Sequence, residues 1–172
     1  MTRLLQISDT HFGTEQPHVM QALLGLAHAE KPDVLVLSGD ITQRASAGQF
    51  RRARDFCDQL AIPRMLSLPG NHDIPLFNIF SRLFRPYAAY LDAFGPELEP
   101  QLQTATLCLL GVKTTQVRSI AANSPASPFG PSARWRCLGC WRAACSGVWE
   151  KRTTSTVLLF ASLRCRRVVA IA

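Results

Sequence analysis

The chain has 172 residues, 47% of them hydrophobic and 18% charged, which is enough apolar material for the core of one ordinary domain and excludes a wholly disordered chain. Its net charge of +7 belongs to one end only: residues 1–100 hold 9 basic and 11 acidic side chains, whereas residues 101–172 hold 10 basic ones with Glu150 as the sole acid. The longest late apolar runs, 157–163 and 168–172, are separated by Arg164, Arg166 and Arg167 and fall far short of a membrane span.

No apolar leader precedes the first apolar run, Arg3-Leu4-Leu5-Gln6-Ile7, so the sequence predicts a cytoplasmic protein with reduced cysteines. That run reads as a strand, and it leads into Ser8-Asp9-Thr10-His11. A helix is predicted over 17–29, with Pro17 in its first turn and Val19, Leu23, Leu26 and Ala27 on one face. His18 and His28 fall on this helix rather than in a strand-end loop, and are read as surface residues.

The next run, Val34-Leu35-Val36-Leu37, has no polar alternation and reads as a strand buried on both faces. It stops on Ser38-Gly39-Asp40, which puts a carboxylate at the strand's carboxyl end, where open α/β sheets present ligands. Ser46 and Gln49 then form a capping-box pattern ahead of a stripe of Phe50, Ala53, Phe56, Cys57 and Leu60. Cys57 is core on this reading. Arg51, Arg52 and Arg54 lie beside Asp55 and Asp58, which favours a solvated helix face over a nucleic-acid surface. Arg44 lies closer to the strand end and could meet an anionic substrate.

A third run, Arg64-Met65-Leu66-Ser67-Leu68, ends on Pro69-Gly70-Asn71-His72-Asp73. Strand–helix alternation of this kind predicts parallel strands joined by right-handed crossovers, an α/β fold. Beyond it, Phe77, Phe80, Leu83 and Phe84 suggest a helix that Pro86 ends or kinks. Tyr87, Tyr90, Leu91 and Phe94 suggest a second, running to Gly95. Aromatic stripes at helical spacing belong by default to the core, with the wall of a substrate cleft as the alternative. Residues 106–112 read as another buried strand.

Past residue 115 the pattern changes. Residues 116–129 show no period, and 134–172 mix Arg, Cys, Trp and Ser with almost no acid. The expected organisation is therefore a patterned region over 1–115 and an unrecognisable basic tail over 116–172, of the kind a frameshifted reading would produce. Cys137-Leu138-Gly139-Cys140, with Cys145 and Cys165, offers half of a zinc site, and a basic, Trp-bearing tail could bind RNA. With one such pair and otherwise irregular spacings, chance composition is the default.

The three strand ends deliver Asp9, His11, Asp40, Asn71, His72 and Asp73 to one rim. Carboxylates, imidazoles and an amide oxygen form a donor set for Mn or Fe, with Zn also accommodated, and one carboxylate can bridge two ions. Asp9-x-His11, Gly39-Asp40 and Gly70-Asn71-His72-Asp73, each after an apolar strand, resemble the calcineurin-like metallophosphoesterase superfamily. The longer wording, from Gly39 to Arg44 and from Pro69 to Asn78, is similar to its bacterial branch that includes cyclic-nucleotide phosphodiesterases.

That resemblance implies an αββα sandwich of which residues 1–115 form the N-terminal part, the second sheet coming largely from the C-terminal half. It implies that Asp9 and His11 bind one metal, Asp40 bridges two, and Asn71 binds the second. His72 would face the phosphate, with Asp73 behind it. Two cations about 3.5–4 Å apart activate water and neutralise phosphoryl oxygens during in-line attack. The implied partner is a small phosphoester, a cyclic nucleotide among the candidates; the short apolar runs argue against a membrane, and the solvated arginine face argues against nucleic acid. The family completes its metal sites with later histidines, but this chain has none after His72, so the alternatives are an inactive fragment or a non-catalytic module built on the tail.

Overall fold

A computed structural model describes residues 2–104, 106–113, 115, 148–153, 156–162 and 168–171. The first strand, β1 (Leu4–Ser8), is followed by α1 (Pro17–Glu30), β2 (Val34–Ser38), α2 (Ala47–Leu60) and β3 (Met65–Ser67). All three strands pair in parallel, with β1 beside β2 and β2 beside β3, as strand–helix alternation requires. Every residue of β1 and β2 is buried, which is why β2 is apolar without a break up to Ser38 and β1 is broken before Ser8 only by the buried Gln6.

The helix ends have local causes. Ser46 accepts a hydrogen bond from the Gln49 N–H at the start of α2, half of the capping box expected there. The other half is diverted, because the Gln49 side chain accepts instead from the Arg44 N–H at 3.0 Å. Helices α1 and α2 end on Lys31 and Ala61 in the left-handed region, and Pro32 and Pro63 follow to prevent continuation.

Two short helices come next, α3 (Ile79–Phe84) and α4 (Ala88–Phe94). Pro86 separates them, because a residue before proline is pushed out of the helical region; Arg85 accordingly has φ −144° and ψ 59°. The chain then forms β4 (Gln101–Gln103), absent from the sequence reading, and β5 (Leu107–Lys113). Three further strands, β6 (Val148–Thr153), β7 (Thr156–Ser162) and β8 (Val168–Ile171), complete the described elements.

The parallel sheet has the order β3-β2-β1-β8 and the antiparallel sheet β4-β5-β7-β6. Strands β6 to β8 thus lie within the stretch set apart in sequence as a tail. The apolar runs there, too short to span a membrane, have the length and β-branched content of strands. The remainder of 116–172, including the Cys137 and Cys140 pair, lies outside the described residues.

Two apolar layers flank the parallel sheet. Leu5, Ile7, Leu35 and Leu37 meet the helices through Leu23, Ala27, Phe50, Ala53, Phe56 and Tyr90. On the other face Leu4, Val34, Val36, Leu66 and Leu68 meet Leu107 and Leu109 of the second sheet. Period-two alternation within β1 and β2 divides their side chains between these layers. Helices, parallel sheet and antiparallel sheet therefore stack as an α/β sandwich. Among the described residues no helix is long and apolar enough to cross a membrane.

Candidate metal centre

The carboxyl ends of β1, β2 and β3 lie side by side because the strands are parallel neighbours in register, with Ser8 opposite Ser38 and Leu37 opposite Ser67. The loops continue that pairing past the strands. Asp9 N–H donates to Ser38 O at 3.0 Å, His11 N–H to Asp40 O at 3.0 Å, and Phe12 N–H to Ile41 O at 2.8 Å. The first two loops are thereby laced together residue by residue.

This lacing brings Asp9, His11 and Asp40 into one group, each offering a ligand atom within 4.8 Å of the others. Asp9 Oδ1 also accepts from Asp40 N–H at 3.2 Å, and Asp40 Oδ1 accepts from His72 N–H at 3.0 Å. The third loop is thus tied to the second through the carboxylate that both share. Asn71 immediately precedes His72 in that loop, and its carbonyl accepts from Ile74 N–H. The His11 and His72 rings stand edge to face with centroids 5.2 Å apart.

The site is built at some conformational cost. Asp9 at φ 54° and His11 at φ 45° both occupy the left-handed region, where a side chain costs on the order of 1 kcal/mol or more and which is over-represented at functional sites. Gly39, at φ 82°, shares that region, and a Cβ there would run into the Asp9 carboxylate. At Gly70 a Cβ would collide with the Asp40 carboxylate and the Gly39 backbone. Both glycines are thus required by close approach to the acids they precede or face.

Asp73 ties the loops together from beneath. Its carboxylate accepts from Ile41 N–H at 3.1 Å, Thr42 N–H at 2.8 Å, Thr42 Oγ1 at 2.7 Å and Gly70 N–H at 2.8 Å. It is 1% exposed, and burial pushes its carboxyl up to about 7 against the pull of these four donors. Thr42, fully buried, also accepts from Ala45 N–H at 3.0 Å. Sequence reading missed Thr42; the only available signal was a short hydroxyl two residues beyond the strand-end acid.

The fit to a cation can be judged from the donor set. Two carboxylates and an imidazole face one another across a few ångströms, and no Lys or Arg pairs with Asp9 or Asp40 among the described residues. His11 Nδ1 is buried without a hydrogen-bond partner, although buried polar atoms are nearly always paired. Convergent acids with an orphaned imidazole nitrogen are the arrangement a divalent ion satisfies. The residues fit a metal.

His72 Nδ1 lies 3.2 Å from Gln43 O. A carbonyl only accepts, so this contact places the ring proton on Nδ1 and leaves Nε2 as the other functional nitrogen. Of the remaining histidines, His18 is exposed on α1 and His28 contacts Gln59 O at 3.2 Å; both lie outside the group. Arg52 pairs with Glu15 at 2.9 Å and Arg54 with Asp58 at 3.0 Å, in keeping with a solvated helix face.

The calcineurin-like phosphoesterase pattern matches residues 2–142. A protein of Synechococcus sp. named probable cyclic nucleotide phosphodiesterase is 30% identical over 81 residues, covering 42% of this chain and 31% of that protein. The glycerophosphodiester phosphodiesterase GpdQ of Enterobacter lignolyticus is 35% identical over 83 residues, 41% of this chain and 29% of that one. The match thus covers less than a third of the length of each of these curated relatives. The chain belongs to the calcineurin-like phosphoesterase family.

Proposed function

We propose that this chain carries the metal-binding half of a phosphoric ester hydrolase acting on phosphodiesters. The observation that carries the reading is the convergence of Asp9, His11 and Asp40 within 4.8 Å, in a chain of this family. On this reading Asp9, His11 and Asp40 hold a first divalent ion, and Asp40 with Asn71 contributes to a second. Mn or Fe suits the donor set best, and Zn is also compatible. When bound, such ions supply Lewis-acid activation of water and neutralise charge on the phosphoryl oxygens.

The chain's own residues do the rest. Asp40 accepts from His72 N–H, a contact that orients the carboxylate that would serve both ions. His72, its Nδ1 proton engaged by Gln43 O, offers Nε2 to the phosphate, where the imidazolium form stabilises charge or protonates the leaving oxygen. Asp73 acts at one remove, fixing the backbone of Ile41, Thr42 and Gly70 around the acids. The names of the two relatives support a phosphodiester substrate, with a cyclic nucleotide or a glycerophosphodiester among the candidates.

With no histidine after His72, Asp40 and Asn71 would have to hold the second ion almost unaided. The chain as written should therefore bind about one ion and turn over orders of magnitude more slowly than a two-metal enzyme. Titration calorimetry with Mn, run beside hydrolysis of a generic aryl phosphodiester, tests this. One bound ion with slow turnover supports the reading. No binding by the wild-type chain, or binding undiminished in Asp40→Ala, overturns it, and two tightly bound ions would show that other residues complete the site.

A further inference from the structure

A cleft of about 310 Å³ opens beside this centre, lined by Arg44, Phe77 and Arg85 together with Pro75, Ser81 and Ala88. It adjoins the reacting end through one peptide: Gln43 O contacts His72 Nδ1, and Arg44 is the next residue. Among the described residues no acidic one lines it. Arg44 and Arg85 are both exposed, and among the described residues neither pairs with a carboxylate.

Arg44 is held in place from several sides. Its N–H donates to Gln49 Oε1 at 3.0 Å. The following residue, Ala45, sits at φ 51° and is secured by the Thr42 hydroxyl at 3.0 Å. The guanidinium carbon stands over the Phe77 ring, 6.0 Å from its centroid, although Phe77 is 82% exposed. A cation held over a ring in this way spends none of its N–H donors on the contact, and they remain to match the two oxygens of an anion. The neighbouring Arg82 is engaged elsewhere, its Nη1 donating to Pro75 O at 3.3 Å.

We propose that this cleft is a specificity subsite for a second anionic group, carboxylate or phosphate, on the alcohol part of the phosphoester. The inference rests on the hydrolase reading and adds the chemistry of the substrate's far end. Arg44 and Arg85 clamp that anion, and Phe77 supports the Arg44 guanidinium while packing the connecting carbons. A cleft of this volume takes a short acidic chain rather than a large group.

Three non-hydrolysable probes test it by calorimetry on the Mn-loaded full chain: an alkylphosphonate, the same chain ending in carboxylate, and the same chain ending in a second phosphonate. The acid-ended probes should bind about tenfold or more tighter than the plain one, and whichever of the two gains more identifies the natural anion. Arg44→Gln and Arg85→Gln should each remove that gain and leave the plain probe's Kd within about twofold, whereas Arg51→Gln should change nothing. Equal binding of all three probes overturns the subsite and leaves the metal centre standing. A gain that survives in both arginine variants overturns it as well, and failure of every phosphonate to bind, with no Mn held, overturns both readings.

Discussion

The strand-end rim and the aromatic segment that leaves it are contiguous in sequence but differ in how they are held. Between Asp9 and Asp73 the rim is cross-linked from loop to loop: Asp40 meets His72 N–H, and Asp73 gathers four donors, two of them from Thr42, which also holds Ala45 N–H. A few residues further on, Phe77, Phe80 and Phe84 are 82%, 78% and 78% exposed. Helix α4 reverses the situation. Tyr90 is fully buried, meets Phe50 edge to face and Phe94 at a tilt, and donates its hydroxyl proton to Ser67 O at 3.0 Å. Cross-linking among loops, rather than apolar content, separates the rigid part of this surface from the open part.

The sharpest break in that comparison comes from removing the shared acid. Asp40→Ala should abolish detectable Mn binding and lower any phosphodiesterase turnover by about a thousandfold or more; calorimetry and a chromogenic assay read both. His72→Ala should slow turnover by about a hundredfold while metal content stays nearly intact, which separates a group acting on phosphate from a ligand.

The packing contrast predicts unequal stability effects. Phe50→Ala, beneath Tyr90 and Phe94, should cost about 3–5 kcal/mol. Asp73→Asn should cost about 2–3 kcal/mol, because an amide replaces one acceptor oxygen with a donor that faces donors. By contrast Phe80→Ser should stay within about 0.5 kcal/mol, since the ring contributes little to the core. Urea unfolding monitored by circular dichroism measures all three, and an α3 change as costly as the Phe50 change would refute the contrast.

The smallest effect is a reaction that hardly occurs. Burial pushes the Cys57 thiol from its ordinary value of 9.0 up to about 12, leaving about one molecule in ten thousand as thiolate at pH 8. Because the folded state favours the neutral thiol, this contribution to stability is complete below pH 9 and is lost as pH rises toward 12. Iodoacetamide at pH 8 followed by peptide mapping should find Cys57 unmodified until the chain is unfolded; rapid labelling in the native state would contradict its burial.

Much of this was legible in the linear chain, for a local reason. An apolar run without alternation specifies a strand buried on both faces, and the residues just past its end must sit at the sheet's edge; so Asp9, His11, Asp40 and His72 could be assigned to one rim from position alone. Helices α1 and α2, the core role of Cys57 and the break at Pro86 come from period, caps and proline sterics in the same way. Tertiary structure decided what no period encodes. Phe80 and Tyr90 belong to stripes of the same kind, but a stripe records only that a helix has an apolar face, and whether another element covers it depends on residues far away in the chain. The Gln43 carbonyl against His72, the Thr42 hydroxyl under Asp73, and the pairing of β8 with β1 were set likewise, because hydrogen bonds between separate loops form only when the sheet has already brought their backbones together.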